Sequence, residues 1–217
     1  MMDLVAQINS RKLFISIAVL VILHAVGYFG LTSENAPFFQ KLTPANLIVT
    51  LVLLIWNQKN KNTIWYFFVA GVYTAGFFVE VAGVSTGFVF GEYQYGNALG
   101  PQWNGTPFLI GANWLILVIS SGAVAEHFFS AKIVKAVIAA TLMVLLDSFI
   151  EPLAGDLNFW YWPEDSIPVQ NYIAWWVIAF VMHMVYQFLP VSRTNKSGFW
   201  VYGIFIVFFI ALGITLH

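Results

Sequence analysis

Seven apolar stretches, at 13–30, 42–56, 64–84, 108–125, 133–153, 172–189 and 199–216, divide the chain, and most charged residues fall between them. A helix that crosses about 30 Å of hydrocarbon at about 1.5 Å per residue needs roughly 20 apolar residues. Every stretch but the second approaches that length. The second has 15 residues and is short enough to be re-entrant or interfacial.

The cations decide between these readings. If all seven stretches cross, one side receives the N-terminus and the segments holding Arg11, Lys12, Lys59, Lys61, Lys132, Lys135, Arg193 and Lys196, and the other side keeps only Lys41. Such sorting in short loops marks the cytoplasmic face, so the pattern predicts a cytoplasmic N-terminus and an external C-terminus. Dropping the second span would break it. Arg11 and Lys12 would also suit a signal peptide, but the apolar run after them is long and no small-x-small site follows it.

Composition agrees with a membrane interior as solvent. The chain is 60% hydrophobic, 9% charged and 18% aromatic, far from a soluble domain. It has no cysteine, which excludes disulfides, thiolate nucleophiles and Cys-ligated metal clusters. A net charge of -1 gives no pull on nucleic acid. No repeat, low-complexity tract or linker suggests a second domain, so residues 1–217 are expected to form one all-α polytopic membrane domain of seven transmembrane helices. Two long loops, 85–107 and 154–171, fall on the external side.

The candidate chemistry lies in the acids. A carboxylate within a span costs about 2.5–3.5 kcal/mol on insertion scales and needs a reason. Glu80 in the third stretch and Asp147 and Glu151 in the fifth are all expected in the external half. Asp147 and Glu151, four residues apart, share a helix face and are expected to line one cavity. The plain reading is that these acids are hydrogen-bonded packing glue. Three at similar depth, with only Lys41 on that side, favour function instead: an acid without a cation nearby tends to keep its proton and can donate it.

The external loops add polar and aromatic groups at this mouth. The stretch 86–96, with Tyr93 and Tyr95, is too rich in glycine for a helix and is expected to form a hairpin or extended loop over the bundle. The second loop carries Trp160 and Trp162 and leads into Asn171; an interfacial aromatic belt accounts for part of this set, and a lid over the site for the rest. His24, His127, His183 and His217 form no HxxxH or HxxH pair, which argues against a histidine-rich metal site. Glu126 reads as a solvated helix end, and Gly76 as close helix packing.

Taken together, Glu80-x-x-Gly83-x-x-Thr86-Gly87-x-x-x-Gly91-x-Tyr93-x-Tyr95, then Leu99-Gly100, Pro107, Ile110 and Trp114, resemble the signature of the CruF-type carotenoid hydratases, a family of carotenoid biosynthesis proteins that includes bisanhydrobacterioruberin hydratases. A second block, Asp147-x-x-x-Glu151-Pro152 with Trp160, Trp162, Ile167-Pro168, Asn171-Tyr172 and Trp175, resembles the family's other characteristic region. Glu151 stands where many members have Asp, and Ser166 and Ala174 where they have glycine.

The resemblance implies a cofactor-independent hydro-lyase of a bacterial or archaeal cytoplasmic membrane. It would add water to the terminal double bond of an acyclic, lycopene- or gamma-carotene-like carotenoid. Asp147 is then expected to donate the proton, with Glu80 or Glu151 placing the water. Tyr93, Tyr95, Trp160, Trp162, Asn171 and Trp114 would bind the substrate, the aromatic faces stabilising a tertiary cation. The rivals are a carotenoid end-group cyclase, which also starts with a proton, and a non-enzymatic membrane transporter or receptor. No lysine in the last stretch could carry a retinal Schiff base, and no inverted repeat suggests a transporter.

Overall fold

A computed structural model describes residues 2–163 and 166–217. Glu164 and Asp165 lie outside the described residues. The helices are α1 (Met2–Leu31), α2 (Ala36–Gln40), α3 (Thr43–Asn57), α4 (Thr63–Thr86), α5 (Leu109–Phe128), α6 (Lys132–Ile150), α7 (Val169–Phe188) and α8 (Lys196–Leu216), with a 3-10 turn at Glu151–Leu153. Local chemistry sets several bounds. The side chains of Asn62 and Asn195 accept from Trp65 N–H and Gly198 N–H and so cap α4 and α8. Gly87, at φ 63°, closes α4 in the left-handed conformation that glycine adopts without cost.

Five segments, Asn9–Leu31, Thr63–Thr86, Leu109–Phe128, Lys132–Leu153 and Lys196–Leu216, are long and apolar enough to cross a membrane. Seven were expected. α3 is apolar but has only 15 residues, and α7 is long enough but diluted by Gln170, Asn171, His183 and Gln187. α5 is the central element: 78% of its apolar window is buried, against 22% for α1. A helix that is apolar all round belongs inside.

One end of the bundle collects the basic segments. There Lys12 Nζ donates to the Trp56 carbonyl, Gln58 to Ser192, Asn62 to Pro190 and Asn195 to Leu54. Glu126 is not simply solvated, as its helix-end position suggested. Its Oε2 lies 2.9 Å from Lys135 Nζ and 3.7 Å from Arg193 Nε, tying the ends of α5 and α7 to the start of α6.

Both long loops fold over the opposite end, and they pair with each other. β1 (Gln94–Tyr95) runs antiparallel to β4 (Trp160–Tyr161), Gln94 facing Tyr161 and Tyr95 facing Trp160. Of the hairpin or extended loop expected at 86–96, the structure has the extended form, and its strand pairs with the other loop. The hairpin comes later, where β2 (Gln102–Trp103) meets β3 (Thr106–Pro107) around Asn104 and Gly105 at φ 50° and 75°. Two positive φ values suit an Asn-Gly turn that matches strand twist.

Candidate active site

Glu80 sits one helical turn after Gly76 on α4. A Cβ at Gly76 would lie 2.6 Å from the Trp114 side chain. Glycine therefore lets that indole lie against α4, where its Nε1–H donates to Glu80 Oε1 at 2.8 Å. The first long loop supplies two more donors, Tyr93 Oη at 2.5 Å and Tyr95 Oη at 2.7 Å, both to Oε2. Burial, and then the neighbouring Glu80, push both phenols above the usual tyrosine value, so they remain O–H donors.

Glu151 is held by a second cage of the same kind. Pro152 follows it in the 3-10 turn that ends α6. Trp160 Nε1–H and Trp162 Nε1–H donate to its Oε2 at 3.0 and 2.7 Å, and Asn171 Nδ2 donates to its Oε1 at 2.6 Å. The same Asn171 amide lies 3.5 Å from Asp147 Oδ2. That is the one side-chain hydrogen bond of Asp147 among the described residues. Glu80, Asp147, Glu151 and Asn171 are all buried. No Lys, Arg or His pairs with the three acids among the described residues.

Between the cages is a cavity of about 10 Å³, lined by Glu80, Glu151, Asn171 and the rings of Tyr93, Tyr95, Trp160 and Trp162. That is space for about one water. Asp147 does not line it and connects through Asn171, so the shared helix face read from the sequence joins Asp147 to Glu151 by an intermediary. Trp114 likewise touches the site through Glu80. All nine residues singled out from the sequence come together in this one place.

Phe90 also lines the pocket, as do Ile110 and Trp175, which the sequence showed only as parts of the family signature and without a place in the site. Trp175 stacks on Trp114 with ring centroids 4.0 Å apart and planes 11° from parallel. It lies one turn after Asn171 on the same face of α7, a spacing that could have revealed it. A second polar set was also missed: His183 Nε2 lies 3.1 Å from Ser121 Oγ, beside the buried Gln187.

The converging N–H and O–H donors are spent on Glu80 and Glu151, so what the pocket offers a guest is carboxyl oxygens and aromatic faces, suited to a water. Among the described residues no group of three His, Asp or Glu is placed to hold a metal ion. Fold and site together define a helical membrane protein with two caged glutamates at a small aromatic-walled pocket and a third buried acid, Asp147, behind Asn171. The comparison with known sequences gives the class a family: the chain belongs to the carotenoid biosynthesis protein family, whose profile matches residues 43–217. It is also similar to the bisanhydrobacterioruberin hydratase of Haloarcula japonica, 26% identical over 123 residues, covering 51% of this chain and 40% of that protein. The similarity thus spans less than half of the relative's length. No solved structure matches the chain.

Proposed function

We propose that this protein is a carotenoid hydratase that adds water to the terminal trisubstituted double bond of an acyclic carotenoid end group, without a cofactor. The observation that carries the reading is the pair of caged glutamates facing a one-water cavity, with a third acid reached through Asn171. Family membership and the name of the Haloarcula relative support it.

Asp147, with fewest hydrogen-bond partners, carries the proton. Once the entering end group displaces the Asn171 amide from it, its O–H bond breaks as the alkene π pair forms a C–H bond at the less substituted carbon, leaving a tertiary cation. The faces of Tyr93, Tyr95, Trp160 and Trp162 and the negative charge of Glu80 and Glu151 stabilise that cation. The cavity water attacks through an oxygen lone pair, and its surplus proton passes to Glu151 and on through Asn171 and solvent to restore Asp147. The product is a tertiary alcohol whose oxygen comes from water.

In this reading all seven apolar helices lie in the cytoplasmic membrane of a bacterium or archaeon. The N-terminus and the basic end are cytoplasmic and the acid site is in the external half, which agrees with the gathering of the cationic segments at one end. Substrate is a lycopene- or gamma-carotene-like polyene taken sideways from the bilayer. The test is expression in a lycopene-accumulating host grown with oxygen-labelled water. Pigment heavier by one water, with the label retained, is the expected result; an unhydrated cyclised pigment would reassign the protein to the cyclases, and unchanged lycopene would remove the enzymatic reading.

A further inference from the structure

A larger cavity, of about 240 Å³, lies beside the acid site between α1, α3, α5 and α8. Val26 and Leu42, both on its wall, are 52% and 43% exposed, so it opens on the side of the bundle. Its walls are apolar except for a few side chains, His24, Asn46 and Asn113 chief among them, and they include no Lys or Arg.

Those three have hydrogen-bonding capacity to spare. His24 is only 6% exposed and is flanked by the rings of Phe205 and Phe208. Its Nδ1 bonds the Leu20 carbonyl at 2.8 Å, which makes Nδ1 the donor and leaves Nε2 an acceptor. Nε2 has no protein partner among the described residues. Asn46 uses its Oδ1 for Thr50, leaving its NH2 free among the described residues, where Asn113 makes no side-chain bond either. Polar groups left unpaired in an apolar cavity are costly, and a ligand that pairs them is favoured.

A hydroxyl suits this set, because it donates to His24 Nε2 while accepting from an asparagine amide. A plain hydrocarbon would leave the set unpaired, and a phosphate headgroup would find no cation. Trp160 lines both this cavity and the acid cavity, and its N–H is tethered to Glu151. Trp160 is thus the residue common to the walls of both spaces.

We propose that this cavity is the berth for a hydroxylated isoprenoid end, which reaches it from the acid site when Trp160 swings aside. The origin of the hydroxyl rests on the hydratase reading; the berth itself rests on the cavity. Binding is measured on the full chain in nanodiscs of defined phospholipid, titrated with a linear carotenoid bearing a tertiary-alcohol end and with its parent hydrocarbon, by quenching of tryptophan fluorescence.

Wild type is expected to prefer the alcohol by about tenfold, the worth of one good hydrogen bond. The His24→Phe and Asn46→Leu double variant, and separately Asn113→Leu, should lower that preference to about threefold or less while still binding the hydrocarbon. Gly27→Leu should weaken both ligands, because a Cβ there meets Phe208 only at 3.7 Å and the longer side chain extends into free space. Melting in detergent checks that each variant folds. Equal affinities in wild type, or an undiminished preference in every folded polar variant, would overturn the berth. Hydration is assayed separately: a wild type that prefers the alcohol but forms none would overturn the hydratase reading and leave the berth standing.

Discussion

Replacing Asp147 by asparagine separates chemistry from structure. The residue is 2% exposed, and its contact with the Asn171 amide is at 3.5 Å. An asparagine of the same shape keeps that long contact through its carbonyl, so the folding cost is about 0.5–1 kcal/mol. A melting point lowered by about 1–4 °C is the corresponding shift. The chemical loss is larger. A positioned general acid contributes about 10²–10⁴-fold, or about 2.7–5.5 kcal/mol of barrier, and an amide has no such proton to give. Asp147→Asn, expressed in a lycopene-accumulating host, should therefore yield wild-type levels of folded protein and at least about 100-fold less hydrated pigment by mass. Asp147→Glu, which restores an acid, should recover part of the activity. Hydration by Asp147→Asn above about a tenth of wild type would refute the assignment, and the acid would then be sought by the same assay on Glu80→Gln and Glu151→Gln.

Gly76→Ala puts a methyl 2.6 Å from the fully buried Trp114, so it should cost about 1–3 kcal/mol in melting experiments and lower hydration by moving the indole off Glu80; Gly71→Ala, in open space on the same helix, should do neither. Glu126→Gln leaves the mostly buried Lys135 without its anion and should destabilise by about 1–3 kcal/mol, reduced from the fully buried case by partial exposure. Hydration per folded molecule should be unchanged, since Glu126 is at the far end from the acids. The raised Tyr93 and Tyr95 phenols keep their protons in the folded chain above the pH at which the unfolded chain loses them, so their stabilising contribution is complete below about pH 10 and lost as pH rises further. A Tyr93→Phe, Tyr95→Phe double variant should show a shallower alkaline fall in melting temperature; an unchanged fall would place its cause elsewhere.

The acid site was legible because its members are unusual for where they stand. Carboxylates inside apolar runs, and Trp and Tyr crowded in the two long loops, are visible without coordinates; these seven meet, and Asn171 and Trp114, marked by the family resemblance, join them. Partnerships were less legible. Nothing local pairs Gln94–Tyr95 with Trp160–Tyr161, because strand pairing across 64 intervening positions is a property of packed loops. The Asn104-Gly105 turn was legible and was missed, its flanking strands being only two residues each. Trp175 stood in the signature without a role for the opposite reason: an aromatic in an apolar helix looks like any lipid-facing residue until its neighbour Asn171 is known to face inward.

The charge sorting that first suggested a topology also bears on catalysis. At the basic end, Glu126 is matched by Lys135 and Arg193, and its charge is largely cancelled. At the other end the glutamates are held by phenols, indoles and an amide. Such donors fix a carboxylate and satisfy its lone pairs, yet being neutral they add no positive charge beside it. An arginine in the same position would hold the group equally well and oppose any cation formed beside it. Under the hydratase reading the cages therefore do two things at once: they make buried acids structurally tolerable, and they keep the site's field negative where a tertiary carbocation must form. Bringing a cation within reach of Glu80 or Glu151, as Tyr95→Lys would, should then abolish hydration even where the protein folds, whereas Tyr95→Phe, which removes one neutral donor and leaves the field negative, should reduce it only in part.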